Sequence, residues 1–189
     1  MKNIAIFASG TGSNAENIIN FFKDSDLVEV KSVFCNNPKA GVLDKCDRLN
    51  IPTSLFTKQE FNDTNKVIDE LHSLAVDYII LAGFLLLLPE NLIKEYNNRI
   101  INIHPSLLPK YGGKGMYGMN VHNAVISNQE KESGITIHLV NEKYDEGKII
   151  FQATCALDNS DNTESLAHKI HDLEQTYFPQ VIFDYISKF

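Results

Sequence analysis

Ile4-Ala5-Ile6-Phe7-Ala8-Ser9-Gly10-Thr11-Gly12-Ser13-Asn14-Ala15 is the stretch from which the architecture can be read. Its first five residues form an unbroken apolar run that is closed by Ser-Gly, too short for a buried helix and suited to a strand covered on both faces. The two glycines mark a tight turn. Residues 14–23 then bring apolar side chains back at helical spacing. Strand, glycine turn and helix in this order open a βα unit.

The same rhythm continues down the chain. Apolar runs at 27–35, 78–82 and 100–103 alternate with helical segments at 40–50 and 62–75, the latter with Val67, Leu71 and Leu74 on one stripe. The pattern predicts an α/β fold: a Rossmann-like, doubly wound, mostly parallel sheet with helices on both faces. The rhythm stops after Ile103. Residues 104–120 hold two prolines and four glycines without a sustained period, and loops of that length in a compact domain are usually functional. Two strands at 135–140 and 149–155, joined by 141–148, are expected next, followed by a helix at 163–188. Asp161-Asn162-Thr163-Glu164 supplies that helix's N-cap region. With 189 residues, no internal repeat and no linker, one domain spanning 1–189 is expected.

Composition removes several classes of function. Apolar residues make up 43% and charged residues 22%, as in globular proteins, and 24 acidic against 17 basic residues give a net charge of −7. No Lys/Arg block is long enough to follow a phosphate backbone, so nucleic acid is not an expected partner. The longest apolar run, 78–88, is about half a membrane span. The apolar start at Ile4 is too short for a signal-peptide core, so a cytoplasmic protein is expected. Cys35, Cys46 and Cys155 read as free thiols. His72, His122, His168 and His171 have no ligand spacing, so no metal is expected. Neither a Gly-x-Ser-x-Gly elbow nor a Cys/His nucleophile pattern is present in the sequence. No apolar surface stripe argues for assembly, and a monomer or a homodimer would be equally consistent.

Three constellations carry chemistry. Gly10-Thr11-Gly12-Ser13-Asn14-Ala15 stands where a helix N-terminus presents free N–H groups and a favourable dipole to an anion. Taken as a dinucleotide fingerprint, it requires an acidic residue at the end of the second strand, which instead reads Phe34-Cys35-Asn36-Asn37. A phosphate monoester therefore fits better than NAD, and a turn that simply needs glycine is the competing account. In the second, Asn102 and His104 are two apart in a strand and face one side, where it meets the long loop. An amide donor beside an imidazole suits carbonyl chemistry, the amide stabilising an oxyanion and the ring moving a proton. The third is Asp145, in the loop after Gly134-Ile135-Thr136-Ile137-His138-Leu139-Val140. A carboxylate reaching His104 would orient the ring and pair with it when charged, although turn chemistry explains an Asp there equally well. His138 reads equally as a site residue and as a core histidine.

These residues, with Leu81-Ala82-Gly83-Phe84, Asn102-Ile103-His104-Pro105-Ser106-Leu107-Leu108-Pro109 and Asp145-Glu146-Gly147, resemble the glycinamide ribonucleotide transformylase family along nearly the whole chain. The His-Pro-Ser-Leu-Leu-Pro piece is shared by the wider group of folate-dependent formyltransferases and hydrolases. The resemblance implies formyl transfer from 10-formyltetrahydrofolate, as co-substrate, to the amine of glycinamide ribonucleotide in purine synthesis, without a metal. It implies Asn102, His104 and Asp145 as the catalytic trio, and Gly12, Ser13, Asn14 and Glu174 as contacts for the ribonucleotide. It further implies Leu85, Leu86, Leu87, Leu88, Asn102 and Asn141 around the folate, with Lys58 standing in for a family arginine. Residues 1–100 would then form the phosphate and ribonucleotide half, and 101–189 the catalytic and folate half. Leu86 stands where many relatives carry arginine, and the loop 112–119 is longer than the common form. The rival expectations are a formyltetrahydrofolate hydrolase, disfavoured because the chain begins at its first strand, and a non-catalytic phosphate- or nucleotide-binding module.

Overall fold

The computed structural model of the protein describes residues 1–188. Chain order is β1 (Lys2–Ala8), α1 (Ser13–Phe22), β2 (Val28–Cys35), α2 (Gly41–Leu49), β3 (Thr53–Leu55), α3 (Lys58–Asp63), α4 (Lys66–Ser73), β4 (Tyr78–Leu81), α5 (Glu90–Glu95), β5 (Ile100–His104), α6 (Met119–Ser127), β6 (Glu132–Leu139), β7 (Ile149–Ala156) and α7 (Thr163–Ile186). The strands make one sheet in the order β3-β2-β1-β4-β5-β6-β7. The first five in that order run parallel, whereas β6 is antiparallel to β5 and β7 antiparallel to β6. This is the doubly wound, mostly parallel sheet that the apolar runs predict.

Strand alternation divides the core between the two faces. Ile4, Ile6 and Ala8 join Ile18, Cys46, Val121 and Phe178 on the face covered by α1, α2, α6 and α7. Ala5 and Phe7 join Phe61, Leu71 and Leu92 on the face covered by α3, α4 and α5. Phe7 stacks on Phe34 with ring centroids 4.9 Å apart and meets Phe84 edge-on at 5.3 Å, which anchors the loop that follows β4.

Differences from the sequence expectation have local causes. The helix expected over 62–75 is two helices, because Thr64 takes an extended conformation (φ −135°, ψ 167°) between them. The Thr57 side chain accepts the Glu60 N–H while Glu60 accepts the Thr57 N–H, a capping box that starts α3 at Lys58, four residues ahead of the expected start at 62. β3, α5 and α6 are additional elements. β3 and α5 are too short to show a period, and α6 follows directly on the glycine-rich loop. At α7 the Asn162 side chain accepts the N–H groups of Glu164 and Ser165, as its sequence suggests.

Candidate active site

A cavity of about 720 Å³ opens where β1, β4 and β5 end and the antiparallel pair begins. This is the edge of an open α/β sheet at which ligands bind, and the volume falls within the range of small-molecule sites. Gly12, Ser13, Asn14, Leu85, Leu86, Leu87, Leu88, Asn102, His104, Asn141, Asp145 and Glu174 all line it. Lys58 does not: it is exposed in the first turn of α3.

At one end, Gly12 caps α1 with φ 75°. A Cβ there would lie 2.8 Å from the Val42 backbone, so no side chain fits and the turn comes as close as it can to α2. No side chain caps α1, and its first residues Ser13 and Asn14 line the cavity, so helix N–H groups without an intrahelical partner are available there to an anion. The Asn14 side chain is committed elsewhere. Its Nδ2 donates one N–H to Glu174 Oε2 at 2.9 Å and its Oδ1 accepts from Gln175 Nε2 at 2.8 Å, which turns the side chain toward α7. Burial pushes the Glu174 carboxyl above the usual range, with the Asn14 hydrogen bond opposing the shift.

At the other end, residues 82–88 leave β4 as an apolar loop in which Leu85 and Leu87 are exposed to the cavity and Leu88 is buried. Ser9 holds this loop in place. Its Oγ accepts the Leu85 N–H at 3.0 Å and donates to Asn36 Oδ1 at 2.6 Å, and its N–H donates to the Gly83 carbonyl at 3.2 Å.

Between the two ends sit the polar groups. Asn102 lies directly opposite His138 in the β5–β6 register, so both side chains emerge on one face. His138 is 2% exposed; its Nδ1–H donates to the Leu139 carbonyl at 3.0 Å, and its Nε2 accepts from Asn102 Nδ2 at 3.1 Å. Burial lowers the pKa of His138, outweighing the Leu139 carbonyl and Asp145. The neutral ring therefore aims the amide of Asn102. A folded-state pKa below the ordinary histidine value gives a stability contribution that is present above about pH 6.5 and is lost as the pH falls toward the lowered pKa.

His104 is 5% exposed, and its Nε2 lies 2.8 Å from the Tyr111 carbonyl. A carbonyl can only accept, so Nε2 carries a proton in every state of the ring and Nδ1 is the nitrogen that exchanges one. Asp145 Oδ1 is 3.7 Å from that Nδ1 and 3.7 Å from His138 Nε2, while its Oδ2 accepts the Gly113 N–H at 2.8 Å. The backbone at Asp145 is left-handed (φ 54°). Two residues on, a Cβ at Gly147 would lie 1.6 Å from the Leu139 carbonyl oxygen, so only glycine closes this loop.

Two further imidazoles stand in the cavity wall, His138, which the sequence left open between site and core, and His122, which it did not place there. His138 becomes a site residue through cross-strand register. His122, on α6, is buried with an unpartnered Nδ1, and burial lowers its pKa. Among the described residues no cluster of His, Cys, Asp and Glu could hold a metal ion, and no helix is long and apolar enough to cross a membrane.

Comparison with known proteins identifies the family. The formyl transferase family model matches residues 2–182. The chain is 36% identical over 187 residues to the chloroplastic phosphoribosylglycinamide formyltransferase of Arabidopsis thaliana, covering 96% of this chain and 64% of that protein, just under two thirds of its length. Against the phosphoribosylglycinamide formyltransferase of Bacillus subtilis it is 35% identical, covering 96% of this chain and 93% of that one. The crystal structure of glycinamide ribonucleotide transformylase 1 from Geobacillus kaustophilus superimposes with a TM-score of 0.87 at 32% identity, covering 96% and 97% of the two chains. A family match from the first strand to the last helix, together with shared architecture, means that this chain belongs to the formyl transferase family.

Proposed function

We propose that the protein transfers the formyl group of 10-formyltetrahydrofolate to the primary amine of glycinamide ribonucleotide, in de novo purine synthesis. The observation that carries this reading is one cavity with a phosphate-type helix N-terminus at one end, an apolar loop at the other and an Asn-His-Asp set between them. Both substrates are small molecules, and no residue of the set calls for a metal.

The ribonucleotide phosphate is received by Gly12, Ser13 and the backbone of Asn14, and Glu174 binds the ribonucleotide beside them. Because Glu174 lies on α7, the ribonucleotide end draws on both halves of the chain rather than on residues 1–100 alone. The fit of a pterin rests on the apolar wall of Leu85, Leu86, Leu87 and Leu88, whose peptide groups can read a flat polar edge, with Asn141 on the facing loop. The folate, when bound, supplies the formyl carbon. Asn102 is already turned by His138, and its remaining amide N–H stabilises the oxygen as the amine nitrogen adds to that carbon. His104 carries the proton balance at Nδ1, facing Asp145. The proton lost by the amine is the one gained by the departing folate nitrogen as the old carbon–nitrogen bond breaks.

The test is turnover of a 10-formylfolate cofactor under chelator, with and without glycinamide ribonucleotide. Formyl transfer that requires the ribonucleotide supports the reading. Equal cofactor loss without it identifies a hydrolase, and binding without turnover identifies a phosphate-binding module.

A variant at Glu174 separates binding from stability. A carboxyl whose folded pKa is raised favours the protonated form, so its stabilising contribution is present at acid pH and lost as pH rises through the raised value. Ionised Glu174 therefore costs stability at neutral pH. Glu174→Gln is expected to melt at a higher temperature than the wild type at pH 7.5, an advantage that shrinks as the pH falls toward about 4, while KM for the ribonucleotide rises about tenfold or more. Calorimetric melting across pH, with KM at neutral pH, checks both.

A further inference from the structure

The carbonyl that holds His104 belongs to a residue in an unfavourable backbone conformation. Tyr111 has φ 57°, which a bulky side chain adopts only where its surroundings impose it. The restraint comes from the protein's outer side. The Tyr111 hydroxyl donates to Glu130 Oε1 at 2.9 Å and accepts from Asn128 Nδ2 at 3.0 Å. Glu130 is itself clamped, with Lys110 Nζ 3.0 Å and 3.2 Å from its two oxygens. Lys110 and then Tyr111 hold the Glu130 carboxyl below the usual carboxylate range, so it stays an acceptor.

From beneath, the turn that leads into Tyr111 is pinned to the sheet. Fully buried Ser106 donates to the Lys110 carbonyl at 2.7 Å, and the Ser106 carbonyl accepts the Thr136 hydroxyl at 2.6 Å. Thr136 Oγ1 in turn accepts the Leu108 N–H at 3.0 Å and Gln152 Nε2 at 2.8 Å. The backbone up to Lys110 is thus fixed by the core, and the orientation of the next peptide is set by what the Tyr111 side chain grips. Glu130, Asn128, Lys110 and Tyr111 are all absent from the cavity wall.

We propose that Glu130 is a positioning residue for His104: through the Tyr111 hydroxyl it fixes the carbonyl that keeps a proton on Nε2 and turns Nδ1 toward Asp145. The ring itself touches neither Glu130 nor Asn128. The link is mechanical, two hydrogen bonds and one peptide group long. An exposed Lys–Glu pair adds little to stability, so a network of this kind can be cut without unfolding the protein.

The kinetic half of the inference rests on the formyl-transfer reading, and the spectroscopic half stands without it. The variants are Tyr111→Phe, Glu130→Ala and Glu130→Gln in the full chain. Expected are a fall in kcat of about tenfold for Tyr111→Phe and Glu130→Ala, the scale on which a misplaced catalytic group loses rate, with both KM values within about twofold and melting nearly unchanged. Glu130→Gln, which still accepts from the tyrosine hydroxyl, is expected to recover most of kcat. Nitrogen-15 NMR of the His104 ring should show a single Nε2–H form in the wild type and in Glu130→Gln, and a mixture of tautomers in the other two. A single unchanged tautomer in all variants overturns the proposal. So does a loss of kcat matched by equal rises in both KM values and a lower melting temperature. If the wild type lacks formyl transfer but the tautomer still responds to Glu130→Ala, the positioning role stands and the assigned reaction falls.

Discussion

His104→Ala is expected to lower kcat about 10²–10⁴-fold, the usual contribution of a positioned acid–base group, while the KM values stay near those of the wild type. The ring lies between strand ends and is held on both sides, at Nε2 by Tyr111 and at Nδ1 by Asp145, so on the proposed reaction its loss removes the group placed to carry the proton between the amine and the folate nitrogen. The informative companion is Asp145→Asn. Position 145 is left-handed, and asparagine is among the few side chains that tolerate this conformation. It can also keep accepting the Gly113 N–H through its amide oxygen. The variant therefore removes charge while retaining backbone geometry, and kcat should fall with an altered pH profile. Near-normal turnover with an unchanged profile would show that Asp145 has no part in the chemistry. Steady-state rates from pH 5 to 9 decide between these results.

The second large effect is expected at Asn102. Asn102→Ala withdraws the amide donor aimed at the developing oxyanion, a loss of about 10²–10³ in kcat. It also strips buried His138 of its partner at Nε2. An acceptor left buried and unpaired costs about 1–3 kcal/mol, and in a chain of this size each kcal/mol lowers Tm by about 2–4 °C. The rate must therefore be measured well below the melting transition of the variant. The loss in kcat should persist undiminished there, because a deficit that vanished on cooling would assign Asn102 to stability alone.

The legible parts of this molecule were those in which chemistry follows from spacing along one element. Period-two alternation put Asn102 and His104 on one face of β5, and strand–turn–helix order put Gly12 and Ser13 at the end of α1. Other parts depend on pairings that no local pattern encodes. His138 faces Asn102 only because β6 runs antiparallel in one particular register; a shift of one residue would turn it to the other face. Tyr111 contributes a backbone carbonyl, which any residue has, and its importance lies in the φ that Glu130 and Asn128 sustain. The stripe from Val67 is carried by α4, but the helix expected over 62–75 is interrupted at Thr64, because capping by Thr57 and Glu60 starts a separate short helix that ends at Asp63. Asn14 lines the cavity beside the glycine turn while its amide turns to α7, a contact 160 positions away.

That last contact has a consequence during synthesis. Asn14 is gripped by Glu174 and Gln175, and Asn17 donates to the Gln175 carbonyl at 2.8 Å. At ribosomal speeds of about 5–20 residues per second, the glycine loop leaves the ribosome roughly 8–30 seconds ahead of the helix that completes it. In that interval β1–β5 can pair, yet the cavity lacks the wall that carries Glu174, and on the proposed function a nascent chain halted before α7 should hold the ribonucleotide through the glycine turn alone, and weakly. On that reading full affinity for the ribonucleotide requires translation to pass α7, whose Leu166, Ile170, Phe178 and Ile182 also complete the core, so premature stops in that helix should cost stability and acceptor binding together.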